Sequence, residues 1–391
     1  MRDRALGTRD SEWLQRELSS SHPAKKVPPA VNVAIYNMCF ATLGGGERRT
    51  AALAAHLAAR HDVTLFVLSP LDISIVKSVF GIDLSRVQVT ALDGKDHVQE
   101  ILRSAPDLFV NNSHGSTIEC PAPTGIYMCM FPEDGVPAPS SYDVVTANSN
   151  YVAGWIGRRW TCRSEVVYSA CNLIGPADIT KRPSILNVGR FFHDVPGVHH
   201  KRQDVLLETF RRMVDAGIAD WELHLVGNVD PDSPNQDFVE QLKRAGESYP
   251  VRISTRLPLD ALREEYQAAS IYWHATGYGC DHEREPSKQE HFGMSIVEAM
   301  SAGAVPLVYN GGGPREIVEN GVNGFLWSDP DELVAQTRRL LKDSALREAM
   351  AARAATDSRR FGVQEFLDRM DAVIARLATT SRPNAPQPEQ D

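Results

Sequence analysis

The sequence lacks several features that would assign the protein to a special class. Its six cysteines include no Cys-x-x-Cys pair and are too sparse for a disulfide scaffold, so we expect reduced thiols in a cytosol. No apolar run reaches transmembrane length, and the N-terminus has no apolar signal-peptide core. The formal net charge of −9 argues against a general nucleic-acid binder. These absences predict a cytoplasmic protein that binds no nucleic acid.

The length and composition fit a two-domain α/β protein. The chain has 391 residues, of which 42% are hydrophobic and 23% charged. Units of strand, glycine turn and helix occur in both halves, and the pattern restarts between 176 and 183. We therefore predict Rossmann-like domains over 30–178 and 179–361. The segments outside them are an extension and linker over 1–29, an amphipathic helix at about 362–378, and a disordered tail over 379–391.

The first glycine turn follows a buried strand at Val31–Tyr36 and leads into a helix rich in alanine and leucine. Its glycines do not form Gly-x-Gly-x-x-Gly, so the fingerprint of a nicotinamide-dependent dehydrogenase is absent. Gly45 and Gly46 would let backbone amides approach phosphate or substrate oxygens. Tight packing of strand on helix explains the same glycines equally well.

His114 is a candidate site residue because of its position. The predicted strand Asp107–Val110 runs into a polar stretch that includes His114. Residues just past the carboxyl end of a parallel strand lie where such sheets bind ligands. A packing or surface role for a lone histidine stays open.

Two basic residues in the second half could converge on a diphosphate. Arg190 follows the strand Ser184–Val188, and Lys201 precedes an amphipathic helix. Charge-assisted hydrogen bonds contribute about 1.5–3 kcal/mol each, more than the roughly 0.3–1 kcal/mol of a helix terminus. Without Arg190, Lys201 would be ordinary solvated charge at a helix start.

The most informative stretch predicts a short helix, Met294–Ala302, that begins after Gly293 and ends before Gly303. Unpaired amide groups at such a helix start attract anions. Glu290 lies just outside this start and Glu298 inside the helix. Carboxylates accept hydrogen bonds from sugar hydroxyls, so the combination indicates a nucleotide-sugar site. Taken alone, the two glutamates could be solvated helix-end residues.

Five segments occur together in a recognisable order. They are Gly44-Gly-Gly-Glu-Arg48, Val188-Gly-Arg190, Lys201-x-x-Asp204, Glu290-His-Phe-Gly-Met-Ser-Ile-Val-Glu298 and Gly311-Gly-Gly-Pro-Arg-Glu316. Together they resemble the retaining, family-4 glycosyltransferases of the GT-B fold (glycosyl transferases group 1), over roughly residues 30–375. The Glu-His-Phe-Gly segment is similar to one in the eukaryotic mannosyltransferase that elongates dolichol-linked oligosaccharides on the cytosolic side.

The resemblance implies two Rossmann-like domains that face each other across a cleft, with the last helix crossing back to the first domain. The donor would bind mainly to the second domain and the acceptor to the first. The residues implied at the donor site are Arg190 and Lys201 for the diphosphate, Glu290 for sugar hydroxyls, Glu298 for the ribose, the backbone at Phe292 and Gly293, and Gly45 and Gly46 beside the diphosphate. His114 would face the transferring sugar. The family generally needs no metal, so we expect neither a metal nor another cofactor.

Several interpretations stay open at this stage. The donor could be GDP-mannose or a UDP-sugar, and the acceptor a glycan, a lipid-linked glycan or a small molecule. A same-fold epimerase, a glycosyl phosphorylase or a non-catalytic binding subunit is an alternative function. Asp329-Pro-Asp331 has the form of a metal-binding motif from another fold, but we expect it to be a helix start. The basic aromatic helix that carries Trp155, Arg158, Arg159 and Trp160 either contacts a membrane surface peripherally, at the inner face, or is simply amphipathic.

Overall fold

The first half of the chain forms a parallel sheet. The computed structural model describes residues 30–380 except 93–95, 178, 193–199, 219 and 230–234. The strands of this sheet are β1 (Asn32–Tyr36), β2 (Asp62–Val67), β3 (Gln88–Ala91), β4 (Leu108–Asn111), β5 (Thr124–Cys129), β6 (Val144–Ala147) and β7 (Glu165–Val166). Their order is β3-β2-β1-β4-β5-β6-β7. The order reverses between β1 and β4, so the turns after these two strands open into one crevice.

Helices cover both faces of this sheet. They are α1 (Gly45–Leu57), α2 (Ile73–Phe80), α3 (His97–Leu102) and α4 (Asn150–Trp160). The start of α1 is fixed by Glu47, whose Oε2 accepts a hydrogen bond of 2.8 Å from the Gly44 amide. Ser149 caps α4 through its Oγ, which accepts from the Val152 amide at 3.1 Å. Both caps hold the helix starts at the carboxyl edge of the sheet.

A second parallel sheet repeats the same topology. Its strands are β8 (Arg182–Val188), β9 (Glu222–Gly227), β10 (Val251–Thr255), β11 (Ala269–His274), β12 (Val305–Tyr309) and β13 (Phe325–Trp327), in the order β10-β9-β8-β11-β12-β13. The reversal lies between β8 and β11, so the residues after these strands face a second crevice. The predicted division between 178 and 179 falls between β7 and β8.

The helices that accompany the second sheet include one, Asn235–Gly246, that was not predicted from the sequence. They are α5 (Gln203–Asp215), α6 (Asn235–Gly246), α7 (Leu259–Ala268), α8 (Met294–Ser301), α9 (Pro314–Ile317), α10 (Pro330–Lys342) and α11 (Ser344–Ser358). Asp329 Oδ1 accepts the Asp331 and Glu332 amides, both at 2.9 Å, so Asp329-Pro-Asp331 is a helix start as predicted. The helix α9 is short and ends at Ile317, and the Glu319 amide donates to the side chain of Asn323 in the turn that follows.

The last described helix, α12 (Val363–Thr380), returns to the first domain. Its apolar face is buried in the core beneath the first sheet, through Phe366, Leu367, Met370, Val373 and Leu377. A contact of 2.9 Å between His56 Nε2 and Asp371 Oδ1 joins it to α1. This confirms the predicted crossing, although the helix includes Thr379 and Thr380, which we had assigned to the tail. Residues 1–29 and 381–391 lie outside the described residues.

The basic aromatic face of α4 is occupied by contacts within the protein. The Arg159 guanidinium lies 5.1 Å from the centre of the Phe131 ring. Trp160 donates its indole N–H to a main-chain carbonyl of the same domain, and Arg158 pairs with Glu283 of the second domain. No helix in the described ranges is sufficiently long and apolar to cross a membrane. These contacts give the basic and aromatic side chains of α4 a role within the protein. Peripheral membrane contact stays a prediction.

Candidate functional site

The helix predicted to bind an anion begins where the two domains meet, because Met294, its first residue, lies against Gly45 of the first domain. Gly293 precedes α8 with φ of +112°, in the left-handed region that favours glycine. Because glycine has no side chain, it cannot cap the first amide groups of α8, which stay available to a ligand. The helix ends at Ser301, and Gly303 follows with φ of +82°. The predicted helix and both glycine positions are therefore confirmed to within one residue.

Glu290 is held by two basic groups of its own domain. Its Oε2 lies 2.6 Å from Lys201 Nζ and 3.1 Å from His274 Nε2. His274 is the last residue of β11 and is buried, and this burial lowers its pKa. The imidazole is therefore neutral near pH 7 and can still donate one N–H to Glu290. We did not assign His274 from the sequence, although its place at a strand's carboxyl end was a usable signal.

Glu298 connects the two domains. Its Oε1 lies 2.6 Å from an Nη atom of Arg48 on α1, and both side chains are only 13% exposed. Its Oε2 accepts a hydrogen bond of 3.0 Å from the Tyr266 hydroxyl. Burial, and then the charge of Glu298, raises the pKa of Tyr266 well above its ordinary value, so the hydroxyl remains a donor. The sequence had suggested no role for Arg48 or Tyr266.

Arg190 and Lys201, which we predict to converge on a diphosphate, are both placed by contacts at the end of β8. Gln203 Nε2 donates to the backbone carbonyls of Gly189 and Arg190, at 3.1 and 3.2 Å. Gly189 leaves room for Lys201, whose Cγ lies 3.0 Å from where a Cβ would be. The Arg190 guanidinium extends toward the first domain, 3.3 Å from the Cβ position of Gly44. Within the described part of the chain, Lys201 is paired with Glu290, whereas Arg190 has no carboxylate at ion-pair distance.

The glycine turn before α1 lies against the start of α8. A Cβ on Gly45 would be 2.7 Å from Met294 Sδ, the first residue of that helix. A Cβ on Gly46 would be 2.7 Å from Met130 Sδ, within the first domain. Gly45 therefore borders the start of α8 directly, whereas a Cβ on Gly46 would point into its own domain.

The segment 290–293 rests on a second glycine turn. The Gly313 amide donates to the Glu290 carbonyl at 2.8 Å. A Cβ on Gly312 would lie 2.2 Å from that carbonyl oxygen, and one on Gly313 2.2 Å from the His291 carbonyl oxygen. Phe292 is buried and its ring packs 5.4 Å from the Phe361 ring, so only its backbone is available to a ligand. Two glycines thus allow close contact between the backbones of the turn and the segment.

His114 faces the cleft from the first domain. Its Nε2 lies 3.1 Å from Glu133 Oε1, and the side chains are 39% and 33% exposed. The hydrogen bond from His114 is the main cause that lowers the Glu133 pKa, and His291 lowers it further. His114 also acts on His291, whose pKa burial lowers to about 4. His114 thus lies near the 290–293 segment, paired with a carboxylate that we did not assign from the sequence.

Together these groups form a cleft with two chemistries. Arg190, Lys201 and the start of α8 supply positive charge and amide donors, which suit phosphate oxygens. Glu290 and Glu298 supply acceptors, which suit hydroxyl groups. Among the described residues, no group of three or more His, Cys, Asp or Glu side chains is arranged to hold a metal ion.

Residues 176–357 match the family model for glycosyl transferases group 1. The GDP-Man:Man(3)GlcNAc(2)-PP-Dol alpha-1,2-mannosyltransferase of Xenopus laevis is 27% identical over 246 residues, which cover 58% of this chain and 47% of that protein. The human protein of the same name is 26% identical over 243 residues, with the same coverages. A sucrose synthase of Acidithiobacillus caldus is 34% identical over 117 residues, 24% of this chain and 15% of that protein. The aligned regions span about half the length of the mannosyltransferase relatives.

Solved structures share the architecture at low sequence identity. Anabaena HepE in complex with UDP and glucose superposes with a TM-score of 0.68 at 17% identity, covering 89% of this chain and 100% of that one. A glycosyltransferase from Rickettsia africae superposes with a TM-score of 0.71 at 14% identity, covering 90% and 100%. These likenesses confirm the predicted fold of two facing Rossmann-like domains. Residues 176–357 thus match the group 1 glycosyltransferases, and the two domains have the GT-B fold.

Proposed function

We propose that the protein is a retaining glycosyltransferase that moves a sugar from a nucleotide-diphosphate sugar to a hydroxyl of a glycan, lipid-linked or small-molecule acceptor. One observation carries the proposal. Lys201 contacts Glu290, Arg190 extends toward Gly44, and the neighbouring Gly45 lies against Met294 at the start of α8, the helix that carries Glu298. A ligand with a charged diphosphate between two hydroxyl-rich groups satisfies both sets of side chains.

The residues take distinct roles in this proposal. Arg190, Lys201 and the amides of α8 stabilise the charge that grows on the diphosphate as it leaves. Glu290 accepts hydrogen bonds from the donor sugar and Glu298 from the ribose. Lys201 already contacts Glu290, so it can touch the diphosphate and orient the sugar-binding carboxylate together. These fixed charges would do the work of a metal, so we expect the reaction to proceed without one.

The acceptor would enter from the first domain, on the side of His114 and Glu133. Their pair is partly exposed and lies near the 290–293 segment, where the transferring sugar would be held. The acceptor oxygen would then form a bond to the anomeric carbon while the bond from that carbon to the diphosphate oxygen breaks, and the hydroxyl proton of the acceptor would pass to the departing diphosphate. Attack on the leaving-group face retains the anomeric configuration and requires no protein nucleophile, and we assign none.

GDP-mannose is the first donor to test. The similarity to the GDP-mannose-dependent relatives supports it, while the solved structure of HepE with UDP and glucose supports a UDP-sugar as the second candidate. An epimerase or a glycosyl phosphorylase of the same fold would give a different sugar product. Product analysis by mass spectrometry separates these reactions from transfer.

The test is a thermal-shift panel of GDP, UDP, GDP-mannose and UDP-glucose, with EDTA present throughout. We expect one nucleotide family to raise the Tm, because a ligand that binds only the folded state stabilises it. A dissociation constant one-hundredth of the ligand concentration corresponds to about 2.7 kcal/mol of stabilisation. No shift with any of the four at millimolar concentration would contradict the proposal. A shift that appears only when Mg²⁺ replaces EDTA would contradict metal independence alone.

A further inference from the structure

Glu316 is the last residue of the second glycine motif, and the donor site described above gives it no role. It lies on α9 of the second domain, but its carboxylate contacts the start of α4 in the first. Its Oε2 accepts from the Asn150 amide at 2.9 Å and from the Asn150 side chain at 2.8 Å. Its Oε1 accepts from the Tyr151 amide at 2.8 Å, and Tyr168 donates to Oε2 at 3.1 Å. Four hydrogen bonds thus end on one carboxylate.

This contact has a clear physical reason. The first amides of α4 have no partner within the helix, and the helix dipole adds positive charge at that end. A carboxylate is the side chain that best satisfies both. Because Glu316 belongs to the other domain, these bonds form only in one relative orientation of the two domains.

The same helix start also holds the 290–293 segment. Ser149, the residue that caps α4, donates its hydroxyl to the His291 carbonyl at 2.6 Å. The His291 ring stacks on Phe131 of the first domain, with centroids 4.6 Å apart and planes 15° apart. The Tyr151 hydroxyl donates to the Pro286 carbonyl at 2.8 Å, in the loop that leads to this segment.

A second route connects Glu316 to the same backbone. α9 begins directly after Gly313, whose amide donates to the Glu290 carbonyl. One route therefore runs from α4 through Ser149 to His291, and the other from α4 through Glu316 and Gly313 to Glu290. Both end on consecutive residues, one of which carries the carboxylate proposed to bind the donor sugar.

We propose that Glu316 is a positioning residue for Glu290. By binding the start of α4, it holds the backbone of Glu290 and His291 in the sugar-binding arrangement when the two domains have the orientation seen here. Glu316 itself touches no substrate. The inference rests on the proposed function, and it adds that the first domain helps to build the sugar-binding part of the donor site.

Three variants test this role. Glu316→Ala removes all four hydrogen bonds, and Glu316→Gln keeps an acceptor oxygen at the same place. Glu319→Ala is the matched control, since Glu319 is an exposed glutamate three residues away. Dissociation constants are measured for GDP and GDP-mannose and for UDP and UDP-glucose, followed by kcat and KM with the sugar donor that binds.

We expect Glu316→Ala to bind the nucleoside diphosphate within twofold of wild type, because Arg190 and Lys201 are untouched. Its affinity for the nucleotide-sugar and its kcat should each fall about 10- to 100-fold, as expected for a small misplacement of a positioning group. Glu316→Gln should recover at least threefold of this loss, and Glu319→Ala should behave as wild type. The variant Glu290→Ala/Glu316→Ala should be no worse than Glu290→Ala, because the effect passes through Glu290.

The inference would be overturned if Glu316→Ala weakened the binding of the nucleoside diphosphate and of the nucleotide-sugar equally. It would also be overturned if the losses of the two single variants multiplied in the double variant. Unchanged kcat in a folded Glu316→Ala protein would overturn it too. The proposed function fails separately. A wild-type protein that binds nucleotide-sugars but transfers no sugar contradicts that function, and the ratio of the two dissociation constants then decides the role of Glu316.

Discussion

Arg190→Ala is the substitution that most directly tests the diphosphate site. Arg190 is anchored through its backbone carbonyl by Gln203, while its guanidinium extends toward the glycine turn of the first domain. No carboxylate of the described residues neutralises it, in contrast to Lys201, which is paired with Glu290. Its side chain is exposed and can therefore reach a ligand.

The expected loss follows from this geometry. A charge-assisted hydrogen bond contributes about 1.5–3 kcal/mol, and a guanidinium can form one or two with a diphosphate. Arg190→Ala should therefore remove about 2–4 kcal/mol of transition-state stabilisation, or roughly 30- to 1,000-fold in kcat/KM. The side chain is exposed, and its guanidinium lies 5.0 Å from the centre of the Phe192 ring, so the free energy of unfolding should change by less than about 1 kcal/mol.

The assay is steady-state transfer with the donor that the thermal-shift panel identifies, alongside denaturant unfolding of the same protein. Arg244→Ala serves as the charge-matched control, because Arg244 is exposed on α6 and lies in the same domain. If kcat/KM fell less than threefold in folded Arg190→Ala, Arg190 would not be a diphosphate-binding residue. An equal loss in Arg244→Ala would show that net charge, and not position, is responsible.

Three further results are expected. Gly313→Ala would place a Cβ 2.2 Å from the His291 carbonyl oxygen, so the segment must shift, and kcat/KM should fall about 100-fold or more in transfer assays. Arg48→Ala leaves the negative charge of Glu298 without its cation, and that charge then repels the diphosphate. The dissociation constant for GDP or UDP, measured by calorimetry, should rise about 3- to 10-fold at low salt and less at high salt. Burial lowers the pKa of His291 from 6.5 to about 4 in the folded protein. The free energy of unfolding should therefore fall, by at most about 3 kcal/mol, as the pH drops from 6.5 to about 4. His291→Phe should flatten that dependence in chemical unfolding, and an unchanged slope would contradict this assignment.

Local features of the site could be predicted from the sequence. The start of α8 was identified because Gly293 precedes an apolar run, and the position of Arg190 because a strand ends before it. Such signals involve residues close together in the chain, where hydrophobic periodicity and turn residues carry the information. For the same reason Gly312 and Gly313 could be recognised as a turn, although the backbone that they contact could not.

Contacts between the domains could not be predicted. Arg48 and Glu298 are 250 positions apart, and Asn150 and Glu316 are 166 apart. Neither contact is visible as a periodic pattern in the sequence, because each contact depends on how the two sheets are oriented. Short elements were also missed. β7 has only two residues, and α3 only six, which is too few for a recognisable period.

The return of α12 to the first domain also determines when that domain can finish folding. Its five buried apolar side chains complete a core whose strands are synthesised far earlier. While a ribosome makes the chain, the first sheet emerges with one of its faces covered only in part, by α1 and α2, and the whole second domain follows before α12 does. The second domain can therefore fold as a unit before the first is complete, which reverses the usual order from N-terminus to C-terminus. During that interval the apolar surface that α12 later covers is exposed to the solvent.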